Sequence, residues 1–87
     1  MEIAIKILNK SGLHARPAAL FVQTAAKFKS DIQIGKDGKF VSGKSILGVI
    51  SLGVRSGEEI MVKIAGADEQ EAAKALQEIA NQKFGEA

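Results

Sequence analysis

Apolar residues recur at every second position in some stretches of this chain and at helical spacing in others. Ile3, Ile5 and Ile7 alternate with Ala4 and Lys6, the period-two pattern of a strand with one buried face. Ile32 and Ile34 flank Gln33, and Ile60, Val62 and Ile64 alternate with Met61 and Lys63, which predicts two more strands. Asp37-Gly38 is a hairpin signal, because both residues tolerate the positive φ angles of a type I′ turn. Phe40 and Val41 then lie on the returning strand. Between the first two strands, Asn9 to Gly12 is a turn cluster. After Pro17, residues Ala18, Phe21, Val22, Ala25 and Phe28 form an apolar stripe, with Gln23, Lys27 and Lys29 off it and Ser30-Asp31 ending the unit. That is an amphipathic helix, and Pro17 suits its first turn, where a missing N–H costs nothing.

Ser45, followed by the run Ile46 to Leu52 and then Gly53, reads as an N-cap, a helix of about two turns and a C-terminal stop. Asp68 and Glu71 read as a capping box. The helix behind them carries Ala72, Leu76, Ile79, Ala80 and Phe84, with Gly85 as its stop.

The order is βαββαβα. Each strand has one clearly apolar face, so the sheet is covered on one side only, and the helices must hide their stripes on that side. The expectation is a two-layer α+β sandwich whose strand order the pattern leaves open. The 87 residues suit a single domain, residues 1–87, with one modest core.

Composition narrows the picture. The chain has no cysteine, which leaves no disulfide framework or thiolate metal site and fits a reducing compartment. No stretch reads as a signal peptide or is long and apolar enough to span a bilayer. The expected place is the cytoplasm, with no direct membrane contact. The net charge is +2, the lysines are scattered singly, and Trp and Tyr are absent. Direct nucleic-acid binding would favour clustered cations and stacking aromatics.

The candidate chemistry lies in Gly12-Leu13-His14-Ala15-Arg16-Pro17, around the sole histidine. His14 stands between a turn and a helix start, where unsatisfied N–H groups and the positive end of the helix dipole favour an anion. Ala15 and Pro17 are the helix-start residues of that anion site. Arg16 can offer a bidentate, charge-assisted contact to phosphate oxygens. Pro17 biases Arg16 away from helical backbone. With one histidine and no carboxylate pair beside it, a metal site is not expected, and no cofactor is called for. On physics alone, a lone surface histidine next to an arginine is more often idle than functional.

Two motifs change that balance. The run Gly12 to Phe21, GLHARPAALF, resembles the active-site motif of the histidine-containing phosphocarrier (HPr) family of the bacterial sugar phosphotransferase system. The run Lys44 to Gly53, KSILGVISLG, resembles its regulatory-serine motif. The likeness covers essentially the whole chain. It implies an open-faced β-sandwich, four antiparallel strands with three helices on one face. It implies a carrier that is not an enzyme in its own right. His14 would take a phosphoryl group on Nδ1 from enzyme I, Arg16 would be its phosphate partner, and enzyme IIA domains of sugar permeases would receive it. Ala15 and the surroundings of Ser45 resemble Gram-positive members, in which an HPr kinase/phosphorylase modifies this serine and a catabolite-control transcription regulator reads it.

The short helix has more apolar residues than one stripe can bury. Val49 and Leu52 are expected in the core, and Leu47 and Ile50, three apart on one face, are expected as an exposed patch that docks partners. The working form is expected to be a monomer. A family branch that keeps the serine and replaces the histidine serves regulation alone; the presence of His14 argues against that branch.

Overall fold

The computed structural model describes residues 1–86. The alternating stretches form β1 (Glu2–Lys6), β2 (Asp31–Lys36), β3 (Lys39–Ser42) and β4 (Glu59–Ala65), and the stripes form α1 (Ala15–Ala25), α2 (Ile46–Ser51) and α3 (Glu69–Asn81). All neighbouring strands are antiparallel, in the order β1-β4-β2-β3. Register follows the apolar faces: Val62 stands opposite both Ile3 and Ile34, and Ile34 opposite Val41. A slip of one residue would turn these side chains out to water.

The inward row Ile5, Ile32, Ile34, Ile60, Val62 and Ile64 is buried. Glu2, Lys6, Gln33 and Lys63 point the other way and are exposed. Phe21 and Ala18 of α1, Val49 of α2 and Leu76 of α3 complete the core, and α1 packs against both other helices. The expected open-faced arrangement is thus the observed one. Asp37 and Gly38 have φ of 53° and 82°, the positive values that the two-residue hairpin requires. On the open face the Phe40 ring covers Gly35, where a Cβ would lie 2.5 Å from the ring. Lys63 Nζ is 4.1 Å from the ring centroid, a cation–π contact that shields an aromatic on an otherwise polar surface.

Several expectations change. Asp68 is the N-cap residue of α3, but its side chain makes no cap hydrogen bond, and Glu71 is exposed. Instead the Asp68 carboxylate accepts the N–H groups of Lys29 (2.8 Å) and Ser30 (2.9 Å) and the Ser30 hydroxyl. Helix α3 stops at Asn81, so Phe84 is not on its stripe. A single 3₁₀ turn follows, in which Lys83 and Phe84 take φ of 55° and 52°. This costs backbone strain but folds the Phe84 ring back into the core, where it is 4% exposed. Helix α1 ends at Ala25, before Phe28, which still packs against the core from the following turn. Arg16 is helical despite preceding Pro17. The bias that proline imposes on its predecessor yields here to the register that buries Ala18 and Phe21.

Candidate functional site at the start of helix α1

The loop before α1 is built to hold His14 outward. The segment is tied to the chain before β4: Gly57 N–H donates to Ile7 O (2.6 Å), Ile7 N–H to Glu58 O (2.8 Å) and Leu13 N–H to Val54 O (3.0 Å). Gly12 has φ of +66°, and a Cβ there would stand 2.4 Å from Val54 O. Only glycine supplies that conformation and that closeness. Asn9 is fully buried; its Nδ2 donates to Gly12 O at 2.7 Å, closing the turn. Leu13, 2% exposed, anchors the loop in the core.

The next side chain, His14, is exposed. His14 is the N-cap residue of α1, with extended backbone, and its ring forms no cap hydrogen bond. Its carbonyl accepts the Ala18 N–H at 2.8 Å, so the backbone does the capping and the imidazole is left for other work. Ala15, Arg16 and Pro17 are the first helical residues. Pro17 has no N–H, so it cannot donate to an anion. The helix-start donors are the N–H groups of Ala15 and Arg16, which have no carbonyl one turn back. Of the two residues expected at the helix start, Ala15 thus offers a backbone donor and Pro17 does not, while the Arg16 backbone offers a second. Arg16 is exposed.

One contact of this loop was not legible in the spacing of residues. The carboxylate of Glu86, at the far end of the chain, accepts from Asn9 Nδ2 (2.9 Å), from Ser11 N–H (3.3 Å) and from Ser11 Oγ (2.9 and 2.8 Å to its two oxygens). Hydrogen bonds from the Asn9 side chain and the Ser11 hydroxyl and N–H, with the nearby Arg16 charge, hold its carboxyl below the usual carboxylate range.

The second motif lies on the neighbouring helix. Ser45 is exposed and caps α2, its Oγ accepting the Gly48 N–H at 3.2 Å. Val49 and Leu52 are buried, Leu47 is 77% exposed and Ile46 41%. Ile50 differs from the expectation: it is half-buried and packs against the core, so the freely exposed apolar residues of α2 are Leu47 and Ile46. Since α2 packs on α1, the two motifs come from adjacent helices. Among the described residues there is no group of three or more His, Asp or Glu placed to hold a metal ion, and no helix is long and apolar enough to cross a membrane.

Comparison with known proteins extends these motifs to the whole chain. The family model described as the phosphotransferase-system HPr component phosphorylation site matches residues 1–82. The HPr-like protein Crh of Halalkalibacterium halodurans is 53% identical over 76 residues, covering 87% of this chain and 90% of that protein. The phosphocarrier protein HPr of Neisseria meningitidis is 46% identical over 86 residues, covering 99% and 97%. The crystal structure of HPr-C-His from Thermoanaerobacter tengcongensis superposes with a TM-score of 0.96 at 55% identity, covering 100% and 98%. A crystal structure of an HPr dimer from the same organism gives 0.80 at 56%, covering 99% of each chain. With the fold, both motifs and a match over nearly all of its length in agreement, this chain belongs to the histidine-containing phosphocarrier (HPr) family of the phosphotransferase system.

Proposed function

We propose that His14 is the phosphoryl-carrying residue: it accepts the group from phosphorylated enzyme I and donates it to enzyme IIA domains. The observation that carries this reading is the exposed, uncommitted imidazole at the N-cap of α1, held outward by a loop anchored through buried Asn9 and Leu13 and followed by two free N–H donors and the Arg16 guanidinium. The lone pair of Nδ1 attacks phosphorus. The N–P bond forms as the bond from phosphorus to enzyme I breaks, and the same exchange then runs toward the acceptor domain. The Ala15 and Arg16 N–H groups and the positive end of α1 meet the charge on the transferred oxygens. Arg16 adds charge-assisted hydrogen bonds. The chain is a recycled protein substrate rather than an enzyme, acting in the cytoplasm as a monomer that presents one face to successive partners.

The second proposed role is regulation through Ser45. Its support is the exposed cap hydroxyl beside Leu47 and Ile46, together with similarity to a Crh protein. An HPr kinase/phosphorylase would modify Ser45, and a catabolite-control transcription regulator would bind the product. The test of the carrier reading is reconstitution with enzyme I, phosphoenolpyruvate and an enzyme IIA domain. Label should pass through this chain to the acceptor, and Arg16→Ala should slow that passage by about a hundredfold. An Arg16→Ala protein as fast as wild type would remove Arg16 from the mechanism.

A further inference from the structure

A second arginine lies against the His14 loop. The Cα of Arg55 is 2.9 Å from where a Cβ on Gly12 would stand, and the carbonyl before it, Val54 O, accepts the Leu13 N–H. Arg55 is exposed. Among the described residues its guanidinium makes no hydrogen bond or ion pair.

That freedom has a physical cause. Glu58 Oε1 accepts the Arg55 backbone N–H at 2.7 Å, and the Arg55 charge acts on the same carboxyl. A guanidinium so close to a carboxylate has a ready bidentate partner. Here Lys36 is on it instead. Lys36 Nζ donates to Glu58 Oε1 at 2.9 Å and to Gly53 O at 3.3 Å, which closes the loop between Gly53 and Glu58 and neutralises Glu58. The charge pattern then says what Arg55 meets. Residues 7–30 and 38–57, which supply α1, α2 and most of the two loops at the site, contain no Asp or Glu. A protein surface complementary to them is acidic.

Resting on the carrier role of His14, we propose that Arg55 is a docking cation for an acidic surface of enzyme I, kept available by the Lys36–Glu58 pair. Arg55 touches the partner and not phosphorus. Lys36 and Glu58 are positioning residues. Without Lys36, Glu58 would draw the guanidinium back onto its own chain, so a residue of β2 governs docking without meeting the partner.

The test is steady-state transfer from phosphoenolpyruvate to this chain by catalytic amounts of enzyme I, with KM and kcat measured separately. At low salt, Arg55→Gln should raise KM about threefold, the size of one exposed charge contact, and leave kcat unchanged. The difference should vanish at about 1 M salt, where screening is short-ranged. Lys36→Met should raise KM by about twofold in the wild-type chain and have no effect when Arg55→Gln is already present. Lys6→Met, which removes a cation from the open face of the sheet, should leave KM as it is. In NMR spectra, exchange of the Arg55 Nε–H with water should slow in Lys36→Met, as the guanidinium pairs with Glu58. An unchanged KM for Arg55→Gln, or a change that persists at high salt, would overturn the proposal. So would a fall in kcat at constant KM, which would put Arg55 on the phosphoryl group. An equal effect of Lys36→Met in both backgrounds, or an unaltered Nε–H exchange, would overturn it too. All of these outcomes leave the carrier role intact. Failure of the wild-type chain to accept label would remove that role and the proposal with it.

Discussion

The carboxylate of Asp68 accepts the backbone N–H of Ser30 at 2.9 Å, binding the start of α3 to the loop between α1 and β2. The Ser30 hydroxyl and the Lys29 N–H are held by the same carboxylate, and Gly66, with φ of +156°, lets the backbone pass against Ser30, where a Cβ would lie 2.5 Å from its Oγ. One side chain thus secures a junction of three elements.

That junction predicts a pH signature. The Ser30 hydroxyl, then the Lys29 and Ser30 N–H groups, hold the Asp68 carboxyl below its ordinary value of 3.8. A depressed folded-state pKa contributes stability that is fully present above the unfolded value and is lost as pH falls through the folded one. Asp68→Asn should therefore have a lower denaturant midpoint than wild type at neutral pH, and the gap should close as both are titrated below about pH 3.8. Parallel stability curves over that range would contradict the assignment.

The same residue shows where the sequence stops speaking. Ser45 and the Asp37-Gly38 turn were legible because their chemistry is local: a hydroxyl reaching three residues on, and two residues that tolerate positive φ. Asp68 looked equally local, but three donors from a loop 38 and 39 residues away outbid the cap of its own helix. Phe84 sat at helical spacing, yet the chain leaves α3 at Asn81 and turns through left-handed backbone to bury the ring. His14, Arg16 and Ser45 could be singled out because two compact motifs carry them. The hydrogen bonds of Glu86 could not, since they are made across a separation of 75 to 77 residues. Ile50 is half-buried rather than exposed, which spacing alone does not reveal, since it does not say how far a six-residue helix tilts one flank toward the core.

Gly12 should be intolerant of any side chain. Gly12→Ala forces a Cβ into positive φ and against Val54 O, so it should cost about 1–3 kcal/mol of stability. Gly38→Ala, which has positive φ but meets nothing within 4 Å, should cost about 1 kcal/mol. Urea unfolding of the two variants checks the order; an equal or smaller loss at Gly12 would mean the loop holding His14 can shift freely.

Helix α2 separates packing from docking. Leu47→Ala should change stability by less than about 0.5 kcal/mol and weaken binding to enzyme I in a titration. Val49→Ala, at a residue with no exposure, should lose about 2 kcal/mol. Unchanged partner affinity for Leu47→Ala would remove it from the docking surface.

Ser45 joins stability to regulation. Ser45→Ala, which loses the bond from Gly48 N–H, should cost about 1 kcal/mol. A phosphate on Ser45, or Ser45→Asp as a weaker mimic, retains an acceptor at the helix start and should melt no lower than wild type. Its negative charge beside Ile46 and Leu47 should slow phosphoryl acceptance from enzyme I. A clearly lowered melting temperature, or an unchanged rate, would count against the regulatory reading.

The central claim is that His14 alone carries the phosphoryl group, and intact-mass measurement after incubation with enzyme I and phosphoenolpyruvate tests it most directly. Wild type should gain one phosphoryl group that is lost in acid and survives in base. His14→Ala, folded by its amide NMR spectrum, should gain none. Phosphoenolpyruvate-dependent labelling that persists in His14→Ala would contradict the account.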